Sequence, residues 1–312
     1  MFIINFVNPE TRKVFNFVIK IISDKTGLFF WTFVRFLSAI LPLLTIYLYS
    51  LIIKQLELKL ALSTVILTLI IIFIVRLVDN YLRLLSITQL EHVISNIGFD
   101  IHNYFLSDLE SKNKEDRHAV VQAIRNFSEA SSITLNLIKQ PGIDSIVSFL
   151  FIPVILFAVD FPSFVITIAY VTTYFFVDHY TTQRYAELKD IQNSKTEAYY
   201  AKLQDSNDFD LEQISYTRHF KRLTRWAFAE WMMLQNSAVF FYCLNLLYLI
   251  YSVYTGQKDI SGLVLVMGYI TQTQTFLNSF SNIKDSLTDM NVGLKHLAKN
   301  EAISAVVLED LV

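Results

Sequence analysis

"LIIIFIVRLVDNYLRLLSITQLEHVISNI", residues 69–97, begins as apolar as a membrane span and ends as an amphipathic, water-compatible helix. Nothing between the two halves marks a stop. No Gly or Pro occurs from Leu43 to Ile97, so the usual helix terminators are missing. The spacing predicts one helix that crosses a membrane and continues past its surface. The pattern recurs between Ser163 and Thr255, again without Gly or Pro. There an apolar run, the polar stretch 182–232 and a second apolar run follow one another. Good helix formers fill the polar stretch. At ~1.5 Å per residue, about twenty-five extra helical residues carry a helix ~35–40 Å beyond the bilayer.

Composition sets the class. Of 312 residues, 53% are hydrophobic and 17% charged, more apolar surface than a soluble domain of this size can hide. Several windows approach the ~20 apolar residues that cross a bilayer. The fold class expected is an all-α membrane protein of six transmembrane helices with long cytosolic helical extensions. The spans fall at about 28–53, 61–81, 144–159, 161–177, 233–254 and 260–280, with Pro42 breaking the first and Pro153 inside the third. The extensions turn near 110–118 and 205–213, the polar patches in otherwise helical text. A net charge of −2 leaves no basic stripe for nucleic acid. The single Cys243 excludes an internal disulfide or a Cys-based zinc cluster, and its apolar surroundings suggest a buried structural thiol.

Basic residues orient the spans. Segments 1–27, 83–143, 182–232 and 281–312 carry 4, 6, 8 and 3 Lys and Arg, against only Lys54, Lys59 and Lys258 in the opposite loops. The positive-inside rule puts the first set, and both termini, in the cytosol. Tyr47, Tyr49, Tyr251 and Tyr254 then lie at the outer face, and Trp31, Trp226 and Trp231 near the inner one. No cleavable signal is visible. Within 1–27, Val14, Val18, Ile21 and Ile22 share one face that Arg12, Lys13, Asn16 and Lys20 avoid, which suits a helix lying flat on the membrane.

The order of these features resembles the transmembrane domain of ATP-binding-cassette (ABC) exporters over essentially the whole chain. The resemblance rests on the surface "elbow" helix at 1–27 and on Pro42 in "AILPLLTIYLYSLI". It rests also on "HVISNIGFDIHNYFLSDLE", on "AVVQAIRNFSEASSITLNLI" leading into span three, and on "DISGLVLVMGYITQTQTFLNSFSNIKDSL" around span six. It implies a homodimer or heterodimer in which spans four and five cross to the partner subunit. It also implies coupling helices at the tips of the extensions that dock on nucleotide-binding domains. Glu115 and Arg117 at the first tip, and Phe209 and Leu211 at the second, are the candidates for that interface.

A motor domain usually follows span six in that family, whereas here 281–312 is a short cytosolic segment. The seven Gly open no G-x-x-x-x-G-K-[S/T] phosphate loop. The chain by itself is therefore expected not to be an enzyme and to hold no cofactor. ATP and Mg would sit on a separate ATPase subunit, unless the scaffold runs without ATP or the chain is truncated. The six His, at 92, 102, 118, 179, 219 and 296, form no H-x-x-x-H pair, and no G-x-S-x-G appears, so neither a metal site nor a hydrolase is indicated.

Charges within spans are costly and usually face protein or water. Arg35 lies about two turns into span one and Asp144 starts span three; either a central cavity or a structural ion pair accounts for them. Arg76 and Asp79, three apart, can pair with each other. With Asp178 and His179 they are expected at the membrane interface. In span six, Gly268, Gln272, Thr275 and Ser279 share a face bordered by Asn278. Such groups line a water-filled path or bond across helices. Arg35, Asp144, Gln272, Thr275 and Asn278 are the candidate substrate-binding residues.

Three functions fit: the membrane subunit of an exporter driven by a separate ATPase, a stand-alone proton-driven transporter of peptide-like cargo with Asp144 or Asp178 carrying the proton, or a non-transporting sensor or effector. A bacterial inner membrane is the expected location.

Overall fold

Asn96 is the only step in the helix that the opening stretch belongs to. In the computed structural model, which describes residues 9–110, 114–205 and 210–298, α4 (Leu62–Ser95) passes through that step directly into α5 (Ile97–Glu110). Ahead of them stand α1 (Pro9–Ile21), α2 (Lys25–Ser38) and α3 (Leu41–Glu57). After them come α6 (Lys114–Leu137), a π-helical turn (Ile138–Gly142), α7 (Ile143–Val159), α8 (Phe161–Asp205), α9 (Asp210–Tyr254) and α10 (Ile260–Ala298). Every regular element among the described residues is a helix.

Two prolines explain the main breaks. Pro42 sits in the first turn of α3, where its missing N–H costs nothing, and it separates α3 from α2. Pro141 lies in the π turn, and Gln140 before it is driven to extended angles of φ −159° and ψ 116°. A residue preceding proline avoids the α region because of the proline ring.

The chain divides into two compact units, residues 1–155 with 259–312, and residues 156–258. The core of the first answers why α4 continues. Leu90, Val93 and Ile94 of α4, then Ile97, Ile101 and Phe105 of α5, are all buried in one cluster. Facing them are Val14, Phe17 and Val18 of α1, Ile124 and Phe127 of α6, and Ile283, Leu287 and Met290 of α10. Past the apolar half, the helix is held by an ordinary hydrophobic core, which offsets the entropy of ordering it. Polar pins add register. Ser23 donates both its N–H (3.0 Å) and its hydroxyl (3.1 Å) to Asp100, and Thr134 bonds Ser286 across α6 and α10.

The second unit is the antiparallel pair α8–α9, each 45 residues long. Its rungs run from Tyr248, which donates to Asp160 (3.2 Å), through the Tyr170–Phe241 ring contact (5.6 Å), to Thr181, which donates to Glu230 (2.8 Å). Lys258 closes on Asp160 at 2.6 Å.

Among the described residues, five helical stretches are long and apolar enough to cross a membrane: Lys25–Glu57, Leu62–Phe105, Ile124–Val159, Phe161–Thr181 and Gln213–Tyr254. These describe a multi-pass membrane protein. The sixth expected span, 260–280, is helical but is not among them. Gln272, Gln274 and three Thr dilute its apolar character, and Val266, Tyr269, Ile270, Phe276 and Leu277 are buried. A helix enclosed by protein has less need of an apolar exterior.

Two further expectations change. The apolar face of α1 is covered by α5, α6 and α10 instead of being left for lipid, while Arg12, Lys13 and Lys20 point outward. Cys243 is exposed, not buried, because it stands beside Phe240, Leu244 and Leu247 on the outward apolar face of α9. Residues 111–113 and 206–209, at the expected tips, lie outside the described residues. Phe209 lies outside the described residues, and so do the side chains of Leu211, Glu115 and Arg117.

Candidate functional site

Five segments of the first unit converge on a cavity of about 470 Å³. The α2–α3 junction supplies Ala39 and Pro42. One stripe of α4 supplies Arg76, Asp79, Asn80 and Arg83, at i, i+3, i+4 and i+7. The π turn adds Pro141, and α7 adds Asp144, Ser145 and Ser148. From α10 come Gln272, Thr275, Phe276 and Ser279. Arg76, Asn80 and Thr275 are exposed, whereas Asp79, Ser145, Ser148 and Ser279 are buried. The first three therefore stand at the mouth and the others at the floor.

An ion-pair chain runs behind and along this wall. Arg35, whose side chain is 0% exposed, pairs with Asp144 and donates to Ser38 Oγ at 2.9 Å. Asp144 also accepts from both terminal nitrogens of Arg83, at 3.2 and 3.4 Å. Arg83 Nε reaches toward Asp79 Oδ1 at 3.6 Å, and Arg76 Nη1 toward Asp79 Oδ2 at 3.8 Å. These last two contacts are beyond hydrogen-bond length. Asp79 Oδ1 and Arg35 Nε are both buried without a hydrogen bond. The network thus joins α2, α4 and α7, with its slack at Asp79.

The π turn has a reason to be there. It brings Asp144 to Arg35 and Lys139 to Glu91, with which Lys139 pairs. Ser145 Oγ donates to Pro141 O at 3.0 Å, holding the first turn of α7. On the opposite wall, Gln272 Nε2 donates to Ser148 Oγ at 3.4 Å, and Phe276 rests on Phe149 at 5.0 Å between ring centroids. Gly268 does not line the cavity. It permits close approach of α10 to α3, since a Cβ there would stand 2.6 Å from Ile46 Cγ2.

Of the residues expected to bind substrate, Asp144, Gln272 and Thr275 line one cavity. Arg35 lies behind the wall, as the buried partner of Asp144. Asn278 is exposed and is not among the lining residues. Asp79 and Asp178, expected at the membrane interface, are buried at 2% and 4% exposure. The residue missed was Arg83, assigned to a cytosolic segment although it completes the stripe begun by Arg76 and Asp79. Its spacing was the available signal.

No protein-family model matches this chain, and no curated protein matches it either.

Proposed function

We propose that this chain is the membrane-spanning subunit of an ABC exporter-type transporter, energised by a separate ATPase subunit. The observation that carries the reading is the length of α8 and α9. Forty-five residues extend to roughly 68 Å, more than twice the ~30 Å hydrocarbon thickness of a bilayer. Helices that long deliver a contact point far from the membrane, which is what coupling to a soluble motor requires. The basic asymmetry supports six spans with both termini cytosolic, in a bacterial inner membrane, α10 being the enclosed sixth. On this reading the polar cavity faces the cargo path. Two such subunits form the complete pathway, with spans four and five reaching to the partner.

The test is purification from native membranes under mild detergent. An ATPase subunit is expected to co-purify, and Phe209→Ala is expected to lose it while the membrane subunit keeps its yield and dimeric mass. Failure of any ATPase to co-purify from native membranes would overturn the reading.

A further inference from the structure

Among the described residues, the charged side chains that line the cavity, or ion-pair with those that do, are Arg35, Arg76, Arg83, Asp79 and Asp144. Three guanidiniums stand against two carboxylates. All five belong to the apolar helical stretches described above. An unbalanced charge there is costly, and such charges are normally paired. The two carboxylates are already divided. Asp144 is shared by Arg35 and Arg83, and Asp79 by Arg83 and Arg76. Arg76 has only the 3.8 Å contact to Asp79, and its side chain is 46% exposed at the mouth. The network is one negative charge short, and the shortfall lies where the cavity opens.

We propose that this cavity binds one anionic oxygen group, a carboxylate or a phosphate, which Arg76 and Arg83 clamp from α4 while Ser148 and Gln272 donate from the facing wall. Guanidinium forks match either group, and charge-assisted hydrogen bonds of this kind are the strong ones. Ser148 accepts from Gln272, so its own O–H remains to be donated. The cavity volume falls within the range of small-molecule sites, ~300–1,000 Å³. The buried Arg35–Asp144 pair serves as a fixed backstop against which Arg83 is held at the cavity wall. The inference rests on the transporter reading for its biological sense, as it makes the cargo anionic. Its chemistry needs no motor.

The anion has two possible sources, the bilayer and the water, and the experiment separates them. The intact purified chain is placed in nanodiscs of phosphatidylcholine. In one arm, inorganic phosphate and N-acetyl-dialanine are titrated from solution, with N-acetyl-dialanine amide as the uncharged isostere. In the other, phosphatidylglycerol replaces part of the phosphatidylcholine, and retained lipid is counted by native mass spectrometry. At least one anionic probe is expected to bind saturably, at one site per chain, at least ~10-fold tighter than its neutral counterpart. Soluble probes winning identifies an aqueous anion; phosphatidylglycerol winning identifies an anionic lipid. Arg76→Gln should weaken binding about 10-fold or more. Thr275→Glu, at an exposed position, supplies the missing charge in place and should abolish binding while the protein stays monodisperse. Arg222→Gln, on exposed α9, should change nothing. Absence of saturable binding by every anionic probe, or undiminished binding in Thr275→Glu, would overturn the inference. The assay contains no ATPase, so an unidentified motor leaves its result intact, and a failure here leaves the coupling experiment unaffected.

Discussion

Arg35 is a guanidinium with no exposure at all, a position a charge occupies only with a partner. Its partner comes from 109 residues away, on the far side of the π turn. Removing one member of a buried pair leaves the other charge uncompensated, whereas removing both leaves an apolar contact. Asp144→Asn is therefore expected to cost about 3–5 kcal/mol, read as a lowered thermal midpoint in detergent. Arg35→Met combined with Asp144→Met should be less destabilised than Asp144→Asn alone. Equal midpoints for Asp144→Asn and wild type would show that the pair does not hold α2 to α7. Arg83 extends the same logic, since it spans both carboxylates and loses its best bonds with Asp144.

Among the elements, α1 departs furthest from expectation. Its apolar stripe suited a membrane surface, yet Phe17 packs on the rings of Tyr104, Phe105 and Phe127 at 5.6, 6.3 and 6.4 Å between centroids. A stripe of that width is satisfied equally by lipid or by protein; only the availability of α5, α6 and α10 as neighbours decides. Phe17→Ala should then cost about 3–5 kcal/mol, as for a large core side chain. Lys13→Ala, on the exposed face, should stay within about 0.5 kcal/mol. The comparison is made by thermal unfolding in detergent. A Phe17→Ala protein as stable as wild type, with weakened membrane association instead, would return α1 to the lipid surface.

For the whole molecule, the assertion open to direct measurement is orientation. The 26 Lys and Arg are distributed so unevenly along the chain that the positive-inside rule favours the orientation proposed above, with cytosolic termini. With Cys243 replaced by Ser, a cysteine at exposed Gln257 is expected to react with an impermeant thiol reagent added to intact cells. One at exposed Thr288 should react only after the membrane is opened. The reverse pattern would invert the topology and, with it, place the long helices on the side away from any cytosolic ATPase. Gly268 bears on the same scale. By letting α10 meet Ile46 closely, it encloses a helix that would otherwise be a poor membrane span.

The linear chain determined that this is a helical, multi-pass protein whose helices outrun the bilayer, because hydropathy, basic-residue bias and the absence of Gly and Pro act locally and can be read residue by residue. It determined the break at Pro42 for the same reason, and the helical stripe that sets Gln272 beside Thr275. It did not determine which apolar face meets protein, since the burial of a Val, Phe or Cys side chain depends on what stands opposite. Hence α1 and Cys243 were assigned the wrong neighbours, and the enclosure of Val266, Tyr269 and Ile270 within 260–280 could not be read. The pairing of Arg35 with Asp144, and the recruitment of Arg83 to the same carboxylate, were decided only by tertiary structure. Electrostatic attraction acts through space, and residues 35, 83 and 144 become neighbours only after α2, α4 and α7 have packed.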